Sequence, residues 1–591
     1  MRLHQVKIRN FRGIKELDWK PEGNFTCLIG PGDSTKTTLL DAISAALSTR
    51  TSLNLCDADF YNCDVEQDIL IEVILADLPN DVISLDSLGS YICGIATDGT
   101  INADPEDEDI KGLAVRFRVD KSLEPLWEVY KPNTPELSTR HLPLSTRLKF
   151  GVFRVDERVE THLRWGRGSA LAAITAGLGD ASSTTVDAQR AARTAVFNSD
   201  NTALTAAAEQ VKSVASTFGA SDFANLRVGL DPQALNTGYG LVLHDGDVPL
   251  TAVGLGTRRL TSLGIQEART VGANLILIDE IETGLEPHRL HHLLKLLLKR
   301  SEQHGTQIIM TTHAPLVVEE LGTTGLTIVR CSDEGKISVK HIPKDLAELD
   351  NNALQKTIRS GPSAMLASRI LVVEGSTEMG LLRPFAENWD TERLESEQEP
   401  LAVIGTAVRN GGGDELCLKR STALAKLGYK VGSLLDSDKP LSTEESDAAS
   451  AGTTIIRWGD DLHLEGRIVR DLPDNQLHKF VEAAILARQE DTAEELDDAV
   501  EAILNSVSSR VENQPSLDGS DPANWASTHS ISFDDIRAAL STAAHKNKWF
   551  KDEQRGAILG KTLLGIWPMI EATPLGQRLQ DVKRFIYDIE E

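Results

Sequence analysis

Two sets of residues in this sequence have the types and spacing of chemical sites. The first is Gly30-Pro31-Gly32-Asp33-Ser34-Thr35-Lys36-Thr37, with Thr38 following. It stands between a strand pattern, Phe25 to Ile29, and a helix pattern from Thr37 to Leu47. In that setting, successive backbone N–H groups and a helix N-terminus cradle phosphate oxygens. Lys36 is placed for the β- and γ-phosphates and the Thr37 hydroxyl for Mg²⁺. One position departs from the pattern. Thr35 stands where glycine is usual, because backbone and phosphate approach closely there. A crowding Cβ predicts that nucleotide binds and that hydrolysis is slow. The apolar run Leu275 to Ile278 then ends in Asp279-Glu280. An acidic pair at the end of a buried strand supplies a Mg²⁺ ligand, Asp279, acting through water, and a carboxylate, Glu280, that polarises the attacking water.

The second set is acidic. Ile370 to Val373 reads as a buried strand ending in Glu374, and Glu378 follows one helical turn later. A second buried strand, Val431 to Leu435, ends in Asp436-Ser437-Asp438. Carboxylates leaving two strand ends towards one cavity are hard oxygen ligands suited to Mg²⁺ or Mn²⁺.

The elements that must position these groups are strands alternating with helices. Residues 1–154 show strand patterns at Leu3 to Ile8, Phe25 to Ile29, Ile69 to Leu75 and Leu113 to Val119. Residues 155–235 change to Ala, Ser and Thr and predict a helical insert. A dimerisation arm and a plain structural insertion are both open for it. Residues 236–360 return to strand–helix alternation, with buried strands at Leu275 to Ile278 and Gln307 to Met310. Residues 361–591 carry strand signals at Ile370 to Val373, Ala402 to Ile404 and Val431 to Leu435. Helical, acidic sequence follows, with a loop expected over Gln514 to Ser530.

The chain has 591 residues, enough for about three or four domains. Its formal charge is 61 − 88 = −27. Such a chain does not coat nucleic acid passively, so any DNA contact requires a local basic track. Its six cysteines, Cys27, Cys56, Cys63, Cys93, Cys331 and Cys417, form no C-x-x-C pair and no zinc-finger spacing. They are expected as free thiols of a reducing compartment. The first residues lack the apolar block of a signal peptide. No apolar run approaches the roughly 20 residues of a membrane span. A cytoplasmic protein is expected, with no membrane contact.

Met1 to Leu47, with KIRNFRGI and LLDAI around the phosphate loop, resembles the SMC and recombination-repair branch of ABC ATPases. LILIDEIETGLEP and IIMTTHAP are similar to its Walker B, D-loop and switch-histidine segments. The resemblance makes His313 a γ-phosphate sensor and places the D-loop at Gly284 to Pro287. It places the signature loop at Gly254 to Arg259, which lacks the usual Ser-Gly-Gly. In this class the signature loop of one subunit completes the site of another, so a homodimer or larger homo-oligomer is implied. The acidic pair of motifs resembles the Toprim domain. An SMC-like ATPase followed by a Toprim domain is the plan of the OLD (overcoming lysogenisation defect) family, and DADFYNCDVEQDILIEVILADLP also resembles that family's ATPase domain.

The resemblance implies an α/β chain: an ABC/SMC-like P-loop ATPase domain with a helical dimerisation insert, then a C-terminal Toprim, Rossmann-like domain with helical additions. It implies two metals held by Glu374, Glu378, Asp436 and Asp438, and a further acid. Glu465 in HLEGRIVRDLP matches best, with Asp460 and Asp461 as rivals. Lys561 in GAILGKTLLG is the expected transition-state lysine. The expected activity is ATP-regulated, metal-dependent DNA endonuclease or nickase action in bacterial anti-phage defence. A helicase or reverse-transcriptase partner is implied. The competing reading is a regulatory SMC-like ATPase or DNA clamp with a vestigial metal centre. A topoisomerase would need a nucleophilic tyrosine module, and the chain's six tyrosines show none.

Overall fold

The computed structural model describes residues 1–50, 53–79, 82, 88–134, 138–155, 163–165, 242–269, 275–332, 334–342, 351–492 and 495–589, with scattered positions between 171 and 208. The expected helical insert over residues 155–235 lies almost wholly outside them. The described residues form two compact units. One holds Met1–Cys27, Thr35–Thr312 and Ser332–Ile337; the other holds Leu28–Ser34, His313–Cys331 and Ser338–Glu591. Both mix helices and strands.

The first unit contains an antiparallel sheet. Its strands run in the order Ile14–Trp19, Arg2–Phe11, Ile69–Ala76, Ile110–Val119, Ile92–Ile95 and Ile101–Asn102. Leu3, Val6 and Ile8 are all buried, a spacing that strict alternation forbids. The register shift between Leu3 and Gln5 explains it, because a bulge reverses which face a side chain takes. Three parallel strands, Val152–Val155, Leu275–Ile278 and Gln307–Thr311, pair in that order, Val155 opposite Ile278 and Ile278 opposite Met310. Every residue of the last two strands is buried. Such continuous apolar runs are what strands covered on both faces require.

In the second unit, four parallel strands run in the order Thr406–Asn410, Arg369–Val373, Lys430–Leu435 and Thr454–Arg457. Val373 lies opposite both Asn410 and Leu434, so the strands end together. Glu374 and Asp436 follow these ends directly. The helix Ser376–Glu395 packs closely along the helix Glu553–Gly565. Glycines make that approach possible. A Cβ on Gly380 would stand 2.2 Å from Glu553 O, and one on Gly560 would stand 2.4 Å from Leu381 O. The Thr377 hydroxyl also donates to Phe550 O at 2.9 Å. The apolar centre gathers Phe385, Trp389, Phe480, Trp525, Phe550 and Trp458.

Two local expectations are corrected. Ala402 to Ile404 is not a strand but part of a single helical turn, Leu401–Ile404, ended by Gly405 at φ 73°. The strand begins only at Thr406. Three apolar residues in a row do not distinguish the two periods. Within the expected loop Gln514 to Ser530, Pro522–His529 is a helix. The Asp521 side chain accepts from Ala523 N, and proline takes the first helical position. Both are helix-start signals that composition alone conceals.

Candidate nucleotide and metal centres

At the phosphate loop, Thr35 caps the helix Lys36–Ala46 with φ 65° and ψ 18°. Leu39 N donates to Thr35 O at 2.9 Å, the first bond of that helix. A β-branched residue in the left-handed region is a conformational outlier. Its methyl lies against the turn between the strands Arg2–Phe11 and Ile14–Trp19: a Cβ on Gly13 would stand 3.0 Å from Thr35 Cγ2. Lys36 is buried and Thr37 exposed. In the second unit, Gly30 has φ 154°, and a Cβ there would meet Val329 O at 2.3 Å, so only glycine fits. Between Gly30 and Thr35, Pro31 O accepts from Ser34 Oγ at 2.8 Å. Gly32 and Asp33 are exposed, and Thr38 is half-buried.

Asp279 is the hub of the first unit's site. Its Oδ1 accepts from Thr37 Oγ1 at 3.0 Å and from Thr311 Oγ1 at 2.7 Å. The Thr311 oxygen in turn accepts from Glu280 N at 2.8 Å. Glu280 has φ 44°, and its Oε2 accepts from Thr283 Oγ1 at 3.0 Å. Arg154 reaches Asp279 Oδ2 at 3.5 Å and pairs with Asp41, which also pairs with Arg12. Arg154 stood in no motif, and Thr311 was legible only as part of IIMTTHAP. The expected signature segment enters the helix Leu255–Arg269. Its Gly256 lies on the expected D-loop, where a Cβ would stand 2.2 Å from Gly284 O. Arg259 donates to Asp279 O and to Thr283 O. His313 is exposed, in the second unit, just before the helix Pro315–Leu321.

The second unit gathers the acids. Asp436 N donates to Glu374 Oε2 at 2.9 Å, which joins the two strand ends. Gly375 N donates to Glu378 Oε2 at 2.9 Å. Leu464 N donates to Asp436 Oδ1 at 2.8 Å, which brings in the start of the helix Leu464–Asp471 and with it Glu465. Glu378 and Glu465 are each about 5% exposed or less, too buried for solvated surface acids.

Their charges act on one another. Burial, then the charges of Glu378, Glu374 and Glu465, push the Asp436 carboxyl up to about 9. Burial, with Glu374 and Glu465 adding to it, pushes Glu378 up to about 7. Glu374 is raised by burial and by Asp414 and Asp438. Glu465 goes the other way. Burial alone would raise it, but the imidazoles of His463 and His545 hold it well below the usual range. His463 Nδ1 stands 2.9 Å from Glu465 Oε2 and His545 Nδ1 stands 3.8 Å from it.

Glu374, Glu378, Asp436 and Glu465 are therefore brought together, with Asp438 close enough for its charge to act on Glu374. The rivals fare differently. Asp460 pairs with Arg467 at 2.7 Å. Lys561 lies beside Lys479, Glu482 and Leu486 in a different hollow of about 340 Å³. The lysine whose charge acts on Glu374 and Glu378 is Lys551. His463 was legible as the residue two before Glu465. His545 and Lys551 lie some 80 positions on and carried no motif.

The chain is similar to the following known proteins. Residues 25–319 match the family model described as "AAA domain, putative AbiEii toxin, Type IV TA system". A curated relative, the OLD nuclease of Thermus scotoductus, is 25% identical over 403 residues, 63% of this chain and 71% of that protein. Among solved structures, the SMC head bound to the C-terminal winged-helix domain of ScpA is 14% identical and covers 58% of this chain and 99% of its own, with a TM-score of 0.34. The SMC head domain of Thermotoga maritima is 13% identical and covers 58% and 100%, with a TM-score of 0.28. Over residues 25–319 the chain is thus similar to an AAA-type ATPase domain, and it is distantly similar to the OLD nuclease of Thermus scotoductus.

Proposed function

We propose that the protein is an ATP-binding, divalent-metal-dependent DNA endonuclease or nickase of OLD type, built from an ABC/SMC-like ATPase domain and a Toprim domain, and that it serves bacterial anti-phage defence. One observation carries the reading. Four carboxylates from two strand ends and two helices converge, and two of them are pushed up to about 7 and about 9 by burial and mutual repulsion. An all-acid cluster of that kind fits divalent cations, since cations relieve the repulsion that otherwise costs the fold stability. When bound, two such ions would activate water and stabilise the leaving oxygen of a phosphodiester.

The chain's own residues do the rest. Glu374, Asp436 and Asp438 hold one position, and Glu378 with Glu465 extends the set. The hydrogen bonds from Asp436 N and Leu464 N fix the Glu374 and Asp436 carboxylates before any ion arrives. Lys551 supplies a positive charge for a phosphate oxygen, in the role that the motif assigned to Lys561. In the ATPase domain, Gly30 to Thr38 bind the nucleotide, Thr37 and Asp279 hold Mg²⁺, and Glu280 orients water. His313 reads the γ-phosphate. A homodimer or larger homo-oligomer completes the ATP site, and the expected helicase or reverse-transcriptase partner would act through that assembly.

The test is a plasmid-nicking assay with Mg²⁺ or Mn²⁺, with and without ATP, on the wild type and on Asp436→Asn. Metal-dependent nicking that Asp436→Asn abolishes, with ATP binding intact, is the expected result. If the folded wild type binds ATP and leaves DNA uncut under all conditions, the regulatory-clamp reading replaces this one.

A further inference from the structure

The two histidines beside Glu465 are not accounted for by an all-oxygen centre. His463 begins the helix Leu464–Asp471, where its Nδ1 accepts from Gly466 N at 3.1 Å. The same Nδ1 lies 2.9 Å from Glu465 Oε2. The tautomer decides which of these two contacts is a hydrogen bond; a proton on Nδ1, or a cation held between the ring nitrogen and the carboxylate, would satisfy the pair. His545, on the helix Phe533–Lys546, stacks its ring on that of His463 with centroids 4.2 Å apart. Its Nδ1 lies 3.8 Å from the same Glu465 oxygen. One ligand atom from each of His463, Glu465 and His545 can be chosen so that all lie within 4.8 Å of one another. Neighbouring ligands on an ion with bonds of about 2.1 Å stand about 3.0–3.4 Å apart. The three groups need only small movements to share one ion.

The geometry points to a nitrogen-containing metal position on His463, Glu465 and His545, beside the carboxylate position, that takes a transition-metal divalent ion in preference to Mg²⁺. Imidazole is a borderline ligand that suits Zn²⁺, Co²⁺, Ni²⁺ or Fe²⁺, and Mn²⁺ less strongly, whereas Mg²⁺ keeps to oxygen and water. The two positions share a wall at Glu465, whose charge acts on both Glu378 and Asp436. The inference rests on the metal centre proposed above and adds to it a division of labour: an oxygen-only position at Glu374, Asp436 and Asp438, and a mixed position at the histidines.

The probe is Co²⁺, titrated into the metal-free full-length protein. Calorimetry gives affinity, and proton NMR detects imidazole N–H resonances shifted by the paramagnetic ion, a signature that only a coordinated histidine gives. Two such resonances are expected. His545→Ala should remove one and weaken Co²⁺ binding by about tenfold or more. His463→Asn keeps an oxygen to cap the helix, so it preserves the fold while removing the other. Mg²⁺ affinity should stay within about twofold in both variants, since imidazole contributes little to Mg²⁺ binding. Wild-type spectra without shifted resonances, or resonances and Co²⁺ affinity unchanged in both variants, would overturn the mixed position. Loss of nicking is a separate matter. A protein that shows both resonances and cuts no DNA keeps this site and loses the nuclease reading, whereas one that nicks DNA without them keeps the nuclease and loses the site.

Discussion

Gly13 makes room for Thr35: a Cβ at position 13 would stand 3.0 Å from the Thr35 Cγ2. The threonine occupies a left-handed conformation that glycine adopts without cost, and its methyl group is accommodated by a glycine in the neighbouring hairpin. The two positions are therefore coupled. Gly13→Ala should lower stability by about 1 kcal/mol through overpacking. Thr35→Gly in the same chain should recover most of that loss, giving a non-additive double-mutant cycle. Thermal unfolding of the wild type, both single variants and the double variant checks it. Additive effects would show that the methyl does not sit where Gly13 receives it.

The same substitution addresses turnover. The Thr35 side chain is directed to Gly13, which leaves backbone strain as the source of any slow hydrolysis. Releasing that strain with Thr35→Gly should raise steady-state ATPase activity several-fold, since a displacement of about 1 Å can cost on the order of a hundredfold. An unchanged rate in a variant that binds ATP normally would show that threonine already fits the loop.

Thr311 holds both residues of the Asp279–Glu280 pair. Its hydroxyl donates to Asp279 and accepts from Glu280 N, whose residue sits at φ 44°. Thr311→Val keeps the volume and removes both bonds. The part-buried N–H of Glu280 then lacks its partner, at a cost of up to about 1 kcal/mol. Hydrolysis should fall by about tenfold or more while nucleotide affinity changes little. Measuring ATP affinity and turnover separately tests this, and a fall in affinity with unchanged turnover would contradict it.

The metal-free carboxylate centre makes the fold pH-sensitive. Glu378 and Asp436 have folded-state values near 7 and 9, above the roughly 4 of an unfolded chain. The folded protein therefore holds more protons, and stability falls as pH rises from about 4 towards 9. Divalent ion removes the repulsion, so added Mg²⁺ should raise Tm more at pH 8.5 than at pH 6. Asp436→Asn should make the metal-free protein more stable at pH 8.5 and flatten its pH profile. Glu465, held low by its histidines, contributes the opposite slope, but only at acid pH. Equal Mg²⁺ gains at both pH values would argue against a cation-filled cluster.

What the sequence disclosed follows from locality. Glu374, Glu378 and Asp436 were legible because strand and turn periods fix where they emerge, and the structure gathers them there. The strand at Gln307–Thr311 was legible from its apolar run, whereas the role of Thr311 was not, because its partners are 31 and 32 residues away in sequence. His545 and Lys551 reach the acids only through helix packing. His545 comes in with the helix Phe533–Lys546, which packs on Leu464–Asp471, while the glycines at 380, 556 and 560 set the packing of the helix that follows Lys551, and their spacing has no meaning until the two helices are seen side by side.

Lys551 and Lys561 give the sharpest contrast. They stand ten residues apart, and the helix that carries Lys561 begins only at Glu553. From there to Lys561 the helix advances about 12 Å, at about 1.5 Å per residue. Its other end is pinned against the helix of Glu378 by Gly380 and Gly556. Lys551 precedes that pinned end, directly after Phe550, whose carbonyl accepts from Thr377. Its charge acts on Glu374, Glu378 and His545. Lys551 is therefore the lysine proposed for a phosphate oxygen at the acids, while Lys561 lines a hollow with Lys479 and Glu482. Lys551→Ala should lower nicking by about a hundredfold, in line with the loss of one group that stabilises developing charge. Lys561→Ala should leave nicking within about twofold, as expected of a residue remote from the developing charge. Lys551→Arg, which keeps the charge, should retain more activity than the alanine variant. The comparison needs initial rates at saturating Mg²⁺ for all three variants, with circular dichroism to confirm folding. Full activity in Lys551→Ala together with inactivity in Lys561→Ala would return the role to the residue that the motif named, and would require the helix Glu553–Gly565 to move when DNA binds.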